Sequence, residues 1–181
     1  MIEAHDRATD IEVVGILGGG TIGASWSALF LAAGCEVHVY DPSPEVEQYV
    51  RDYIEHAWPS LDALGIIDRG DPDRVRFFSD PRQAVTQAQF VQESVPERID
   101  LKRELFTGIE AALPPDTVVA SSSSGLLLGE MQQAWKDPGR LVLGHPFNPP
   151  HLIRLSSYWS TKELRTASSS MRRHFTHAAA R

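Results

Sequence analysis

Ile11 to Asp41 reads IEVVGILGGGTIGASWSALFLAAGCEVHVYD, and everything else in the chain is arranged outward from it. Val13 to Leu17 is an apolar run of the length of a buried strand, and it ends at Gly18, Gly20 and Gly23 in the spacing G-x-G-x-x-G. From Ala24 to Ala33 there is neither proline nor glycine, Trp26, Leu29, Phe30 and Ala33 recur at helical spacing, and Gly34 is placed to stop the helix. A second strand, Glu36 to Tyr40, then delivers Asp41. The pattern predicts strand, tight turn, helix, strand and acid, in that order.

Each part has a physical task if a dinucleotide lies here. Gly18 permits the turn, Gly20 lets the backbone approach a pyrophosphate with no side chain in the way, and Gly23 lets helix and strand pack closely. Amides at the helix N-terminus, around Thr21 and Ile22, then face the phosphates. Asp41 follows Gly23 by eighteen residues, where a carboxylate accepts hydrogen bonds from both ribose hydroxyls and repels a 2'-phosphate. This predicts NAD rather than NADP.

Beyond Asp41 the periodicity keeps alternating. Val46, Val50, Tyr53, Ile54, Ala57, Leu61 and Leu64 predict an amphipathic helix, kinked or broken at Pro59. Val75 to Phe78 reads as a short strand, Ser79-Asp80-Pro81 as the start of a short helix through Gln87, and Gln89 to Val95 as a strand. Arg98 to Leu113 carries a broad apolar stripe and ends at Pro114-Pro115, which predicts a helix. Thr117 to Ala120 is a strand opening into Ser121 to Ser124, Gly125 to Ala134 a helix, and Leu141 to Gly144 the last clear strand, leading into HPFNPP. Strands alternating with helices predict an α/β fold of Rossmann type: a doubly wound, mostly parallel sheet with helices on both faces.

The bulk numbers fit one such domain. The 181 residues are 42% apolar and 23% charged, and the formal net charge of −7 offers no basic surface for nucleic acid. One cysteine, Cys35, excludes an internal disulfide and suits a reducing cytosol; its place at the start of a strand makes it a core residue. No apolar run approaches the roughly 20 residues of a membrane span, the first ten residues lack an apolar signal core and read as a mobile lead-in, and no membrane partner is expected. His38 reads as a packed strand residue and His56 as a helix residue, and no histidine stands at metal-ligand spacing, so no metal is expected.

Two further stretches suggest chemistry: ASSSSGLLL after one strand and GHPFNPPHLI after the next. With LGGGTIG and ESVPERIDLKRELF they resemble the N-terminal NAD-binding domain of the L-3-hydroxyacyl-CoA dehydrogenase family, from about Val13 to Ile153. The four serines and HPFNPPHLI look closer to the branch acting on small 3-hydroxy acids, that of carnitine dehydrogenase, L-gulonate 3-dehydrogenase and lambda-crystallin, than to the fatty-acyl enzymes. The resemblance implies an NAD-dependent oxidoreductase that converts a 3-hydroxy group to a 3-oxo group, on a small 3-hydroxy acid or a 3-hydroxyacyl-CoA. It implies that His145 is the general base that takes the hydroxyl proton, as a group of near-neutral pKa can. Ser124, twenty-one residues earlier, would hydrogen-bond the substrate oxygen; Asn148 would lie near the nicotinamide, and Glu97 and Lys102 would contact the cofactor.

The chain departs from the family after Ile153. The family continues H-L-I-P-L-V-E, with a glutamate that orients the histidine, whereas here Ser157 takes the glutamate's place. Residues 154–181 show no strand and little helical periodicity, and are expected to be poorly ordered or aberrantly packed. The family's helical C-terminal domain does not follow, so activity is expected to be absent, and self-association is expected through the surface that domain would cover. With permissible codon choices, reading the codons after Ile153 one base early converts RLSSYWSTKELRTASSSMRRHFTHAAAR into PLVELLVDQGTADRVVEHAATFYTRCGK, which restores proline, leucine, valine and glutamate in place. A frameshift is one reading; a divergent tail or a deliberate boundary is the other. The alternative function is a non-catalytic NAD-binding or scaffold protein that kept the fold.

Overall fold

The computed structural model describes residues 11–67 and 69–153 and the backbone of the strand Ser156–Trp159. The lead-in at 1–10 and the tail from 160 onward, on which two of the expectations above fall, lie outside the described residues.

Among the described residues, seven strands form one sheet in the order β3-β2-β1-β4-β5-β6-β7. β1 (Val13–Leu17), β2 (Glu36–Tyr40), β3 (Val75–Phe78), β4 (Phe90–Glu93), β5 (Val118–Ser121) and β6 (Leu141–Pro146) are parallel. β7 (Ser156–Trp159) runs antiparallel to β6. The strand order reverses between β1 and β4, which opens the crevice at the carboxyl ends of the strands where such sheets bind ligands.

The helices cover both faces. α1 (Thr21–Ala32) and α2 (Val46–Ala63) close one core, in which Trp26 stacks on Phe30 at 5.5 Å and Phe30 meets the edge of Phe90 at 5.8 Å. α3 (Pro81–Val85), α4 (Ile99–Ile109) and α5 (Leu128–Gln132) close the other, where Phe106 lies 5.5 Å from Trp135. The strands are buried on both faces, which is why they read as unbroken apolar runs rather than as alternations. Gly34 takes φ +92 and ends α1, and the Asp80 side chain accepts the Arg82 amide at the start of α3.

Three expectations are corrected. α2 is not broken: Pro59 lies inside one continuous helix, whose buried face is Val50, Ile54, Ala57 and Leu61, while Leu64 is exposed. α5 is half the length read from the sequence, because Gly125 to Leu127 are spent on a turn before it. A strand does exist beyond Ile153. Backbone pairing needs only an edge to add to, and β6 presents one, so β7 forms on a segment without apolar alternation. Its register sets Ser157 across from His145.

Candidate cofactor and substrate site

The phosphate turn follows from the close approach of three chain segments. Gly18 has φ +94, its amide donates to Tyr40 O at 2.8 Å, and a Cβ there would lie 2.8 Å from the Ser94 carbonyl. A Cβ on Gly23 would fall 1.8 Å from Gly18 O. Gly20, by contrast, caps α1, is exposed, and a Cβ there would meet nothing within 4 Å. The open side of the turn is thus the side on which a pyrophosphate can approach the α1 amides. Thr21 is exposed beside it with Oγ1 2.9 Å from the Tyr49 hydroxyl, and Ile22 is half-buried against the core. Asp41 directly follows β2, with Oδ2 accepting from Gly19 N at 2.8 Å and Oδ1 from Ser43 N at 2.9 Å. Each oxygen keeps a lone pair, so the carboxylate is aimed and still free to accept ribose hydroxyls. These residues fit a dinucleotide.

Across the switch point lie the residues implied for substrate and nicotinamide. β5 pairs with β6 in the register Ser121↔Leu143, and two residues further on each chain come Ser123, next to Ser124, and His145. Ser124 is exposed, His145 half-buried on β6, and Asn148 exposed just beyond it. Neighbouring strands therefore lead into Ser124, three residues past the end of β5, and carry His145 within β6. Glu97 lies over the serine turn: its Oε1 accepts from Ser123 Oγ (2.6 Å), Ser124 N (3.0 Å), Gly125 N (2.7 Å) and Leu126 N (3.3 Å). Burial raises the Glu97 carboxyl, but these donors with the nearby Lys102 outweigh it and hold the carboxyl below the usual range. Lys102 is placed differently from the others. It is 1% exposed, with Nζ 2.5 Å from Glu93 Oε1 and donating to Val95 O at 3.1 Å.

Sequence reasoning missed two residues. Glu93, fully buried at the end of β4, accepts from Lys102, Ser121 Oγ and Val95 N; burial pushes its carboxyl upward against the pull of Lys102. A charged residue closing an apolar strand was its only signal. His151, inside HPFNPPHLI, is 7% exposed. Its backbone N–H donates to Ser25 Oγ at 3.1 Å, which leaves the serine hydrogen for His151 Nδ1 at 2.8 Å, and Tyr53 packs edge-on at 5.6 Å. It pins the segment after β6 to α1 and α2. Among the described residues no group of three histidine, cysteine or acidic side chains could hold a metal, and no helix is long and apolar enough to cross a membrane.

A reversed parallel sheet with a glycine turn at its first crossover and an acid ending its second strand defines a dinucleotide-binding domain. The chain belongs to the family of the 3-hydroxyacyl-CoA dehydrogenase NAD-binding domain, whose model matches residues 13–173, twenty residues past Ile153. It is therefore an NAD-binding domain of a family of NAD-dependent dehydrogenases. It is 48% identical over 146 residues to an L-carnitine dehydrogenase of Streptomyces coelicolor, covering 81% of this chain and 46% of that protein. It is 49% identical over 146 residues to the L-carnitine dehydrogenase of Streptomyces griseus, covering 81% and 44%. Among solved structures, the NAD+-dependent 5-formyl-3-hydroxy-2-methylpyridine 4-carboxylic acid 5-dehydrogenase superposes with a TM-score of 0.82 at 31% identity, covering 94% of this chain and 55% of that one. The chain spans about half the length of the curated relatives it matches.

Proposed function

We propose that this domain serves the NAD-dependent oxidation of a 3-hydroxy acid to the 3-oxo acid, with L-carnitine the first substrate to try. The observation that supports the reading is the β5–β6 register, in which Ser121 pairs with Leu143, so that neighbouring strands lead into the Ser124 turn and carry His145 at the carboxyl end of the sheet. Bound NAD supplies the hydride acceptor. His145 takes the hydroxyl proton as the carbon gives up its hydride, so alcohol and NAD+ become ketone, NADH and a proton held on the imidazole. Ser124 donates to the substrate oxygen, Asn148 and Glu97 border the nicotinamide end, and Lys102 belongs to the same cluster. Cytoplasmic localisation suits the single buried Cys35.

The test is a fusion of residues 1–153 to the remaining length of the Streptomyces coelicolor relative. It should reduce NAD with L-carnitine, and His145→Ala should cut turnover about 10²–10⁴-fold. A fusion that binds NADH but oxidises no 3-hydroxy acid would contradict the proposal.

One observation favours a second reading. Position 157, across from His145, holds serine where the family pattern has glutamate, so the imidazole lacks that carboxylate and the chain would be a non-catalytic NAD-binding module. The 181 residues alone are expected to bind NADH and to show no turnover. The same register supports a lost base near codon 153, because the shifted frame would place glutamate at 157; sequencing the gene across that codon tests it. Self-association belongs to the proposal too. Leu127, Phe147, Leu152 and Ile153 are 43 to 68% exposed on the segments after β5 and β6, and a clean monomer in light scattering at high concentration would count against it.

A further inference from the structure

His151 is buried and has no part in the proton and hydride transfer above. Its backbone N–H donates to Ser25 Oγ at 3.1 Å, and the serine hydroxyl in turn donates to its Nδ1 at 2.8 Å, which makes Nδ1 the bare ring nitrogen. Backbone and ring are thereby both held by one fully buried side chain of α1. α2 braces the link: Tyr49 and Tyr53, one turn apart, bring their hydroxyls to Thr21 Oγ1 at 2.9 Å and to His151 Nδ1 at 3.4 Å. The histidine itself sits in a closed turn. Leu152 N and Ile153 N both donate to Pro149 O, at 3.1 and 3.0 Å, and Asn148 directly precedes that proline. Phe147, Leu152 and Ile153 of the same segment are 43 to 48% exposed, so the hydrogen bonds of His151 tie an otherwise open stretch to α1.

We propose that His151 is a positioning residue for the cofactor: by fixing the segment after β6 to Ser25, it sets the distance between the α1 amides that receive the pyrophosphate and Asn148 at the nicotinamide end. The two ends of this path serve one ligand. Ser25 lies about one helical turn beyond Thr21, so it moves as a rigid part of the α1 N-terminus. His151 lies three residues from Asn148, inside the turn closed on Pro149 O. Between them stand two hydrogen bonds to a single serine oxygen. The other route from α1 to Asn148 runs across β1, β4, β5 and β6, where small displacements of each strand would add. A dinucleotide needs both ends in register at once, and the short link holds their separation where the long one would let it drift. The inference rests on reading Asn148 as the residue that borders the nicotinamide.

Titration of the 181-residue chain with NADH and with ADP-ribose, which carries the pyrophosphate and lacks the nicotinamide, reads the two ends separately. In His151→Phe the affinity for NADH should fall about 10-fold while that for ADP-ribose stays within about 2-fold. His151→Asn, whose side-chain oxygen takes the place of Nδ1 as acceptor, should recover most of the NADH affinity. A residue that only stabilises the fold would lower both affinities together; that result, or an NADH affinity unchanged in His151→Phe, overturns the proposal. If His151→Phe unfolds, Ser25→Ala decides, since it removes both hydrogen bonds and keeps the ring. A loss confined to NADH supports the link, and equal losses or none overturn it. The titration needs no turnover, so a fusion that binds NADH and oxidises nothing would refute the function and leave this result standing, whereas a chain that bound neither ligand would overturn both.

Discussion

The phosphate turn after β1 is shaped by the absence of side chains, and the serine turn after β5 by a surplus of them. At the first, Gly18 and Gly23 let backbone meet backbone, Gly20 leaves the side of approach open, and one carboxylate, Asp41, reaches in to take the Gly19 amide. At the second, two acids, a lysine and serine hydroxyls interlock beneath a turn that would otherwise have no reason to hold one shape. Steric constraint of the first kind is local and fails abruptly. Polar constraint of the second kind is distributed and fails by degrees.

The sharpest way to break the first region is Gly23→Ala. Its methyl would lie 1.8 Å from Gly18 O, so helix and strand must separate, and we expect about 3 kcal/mol of lost stability in a denaturant melt. Gly20→Ala is the counterpart. Nothing lies within 4 Å of that Cβ, so stability should change by no more than about 1 kcal/mol, while NADH affinity falls about 10-fold because the methyl enters the approach to the α1 amides. Equal effects of the two substitutions on stability would show that the turn is not built by close approach.

A smaller effect separates the pinned segment after β6 from both turns. Burial lowers the His151 pKa below its ordinary value, so the folded state prefers the neutral ring. The unfolded chain then binds the extra proton first. Stability from this contact is fully present above about pH 6.5 and is lost as pH falls through the lowered folded value. Between pH 7.5 and 5 the loss should be about 1 kcal/mol, and His151→Phe should remove that part of the pH dependence. An unchanged profile in the variant would place the acid sensitivity elsewhere.

The contrast also explains what could be read in advance. Glycines carry their meaning in their spacing, so the stretch from Val13 to Asp41 disclosed strand, turn, helix and acid without help from the rest of the chain. Doubly buried strands announced themselves as apolar runs, which is why the parallel order followed. Glu93 and His151 could not be found that way, since what each does depends on partners 28 and 126 residues distant, Ser121 and Ser25. Pro59 misled because tertiary packing of Ile54, Ala57 and Leu61 carries α2 through a residue that would break it in isolation. β7 was missed for a related reason: an edge strand takes its pairing from its neighbour's backbone, and its own sequence need not advertise it.

The central claim, that the glycine turn and Asp41 make an NAD site, is tested most directly by titrating the 181-residue chain with NADH and NADPH and following cofactor fluorescence. Asp41, held at the turn by the Gly19 amide, would face a 2'-phosphate at close range. The account predicts NADH binding at least about 10-fold tighter than NADPH, a difference of about 1.4 kcal/mol that narrows in Asp41→Ala. Equal affinity of the unsubstituted chain for both cofactors, or a preference for NADPH, would contradict it.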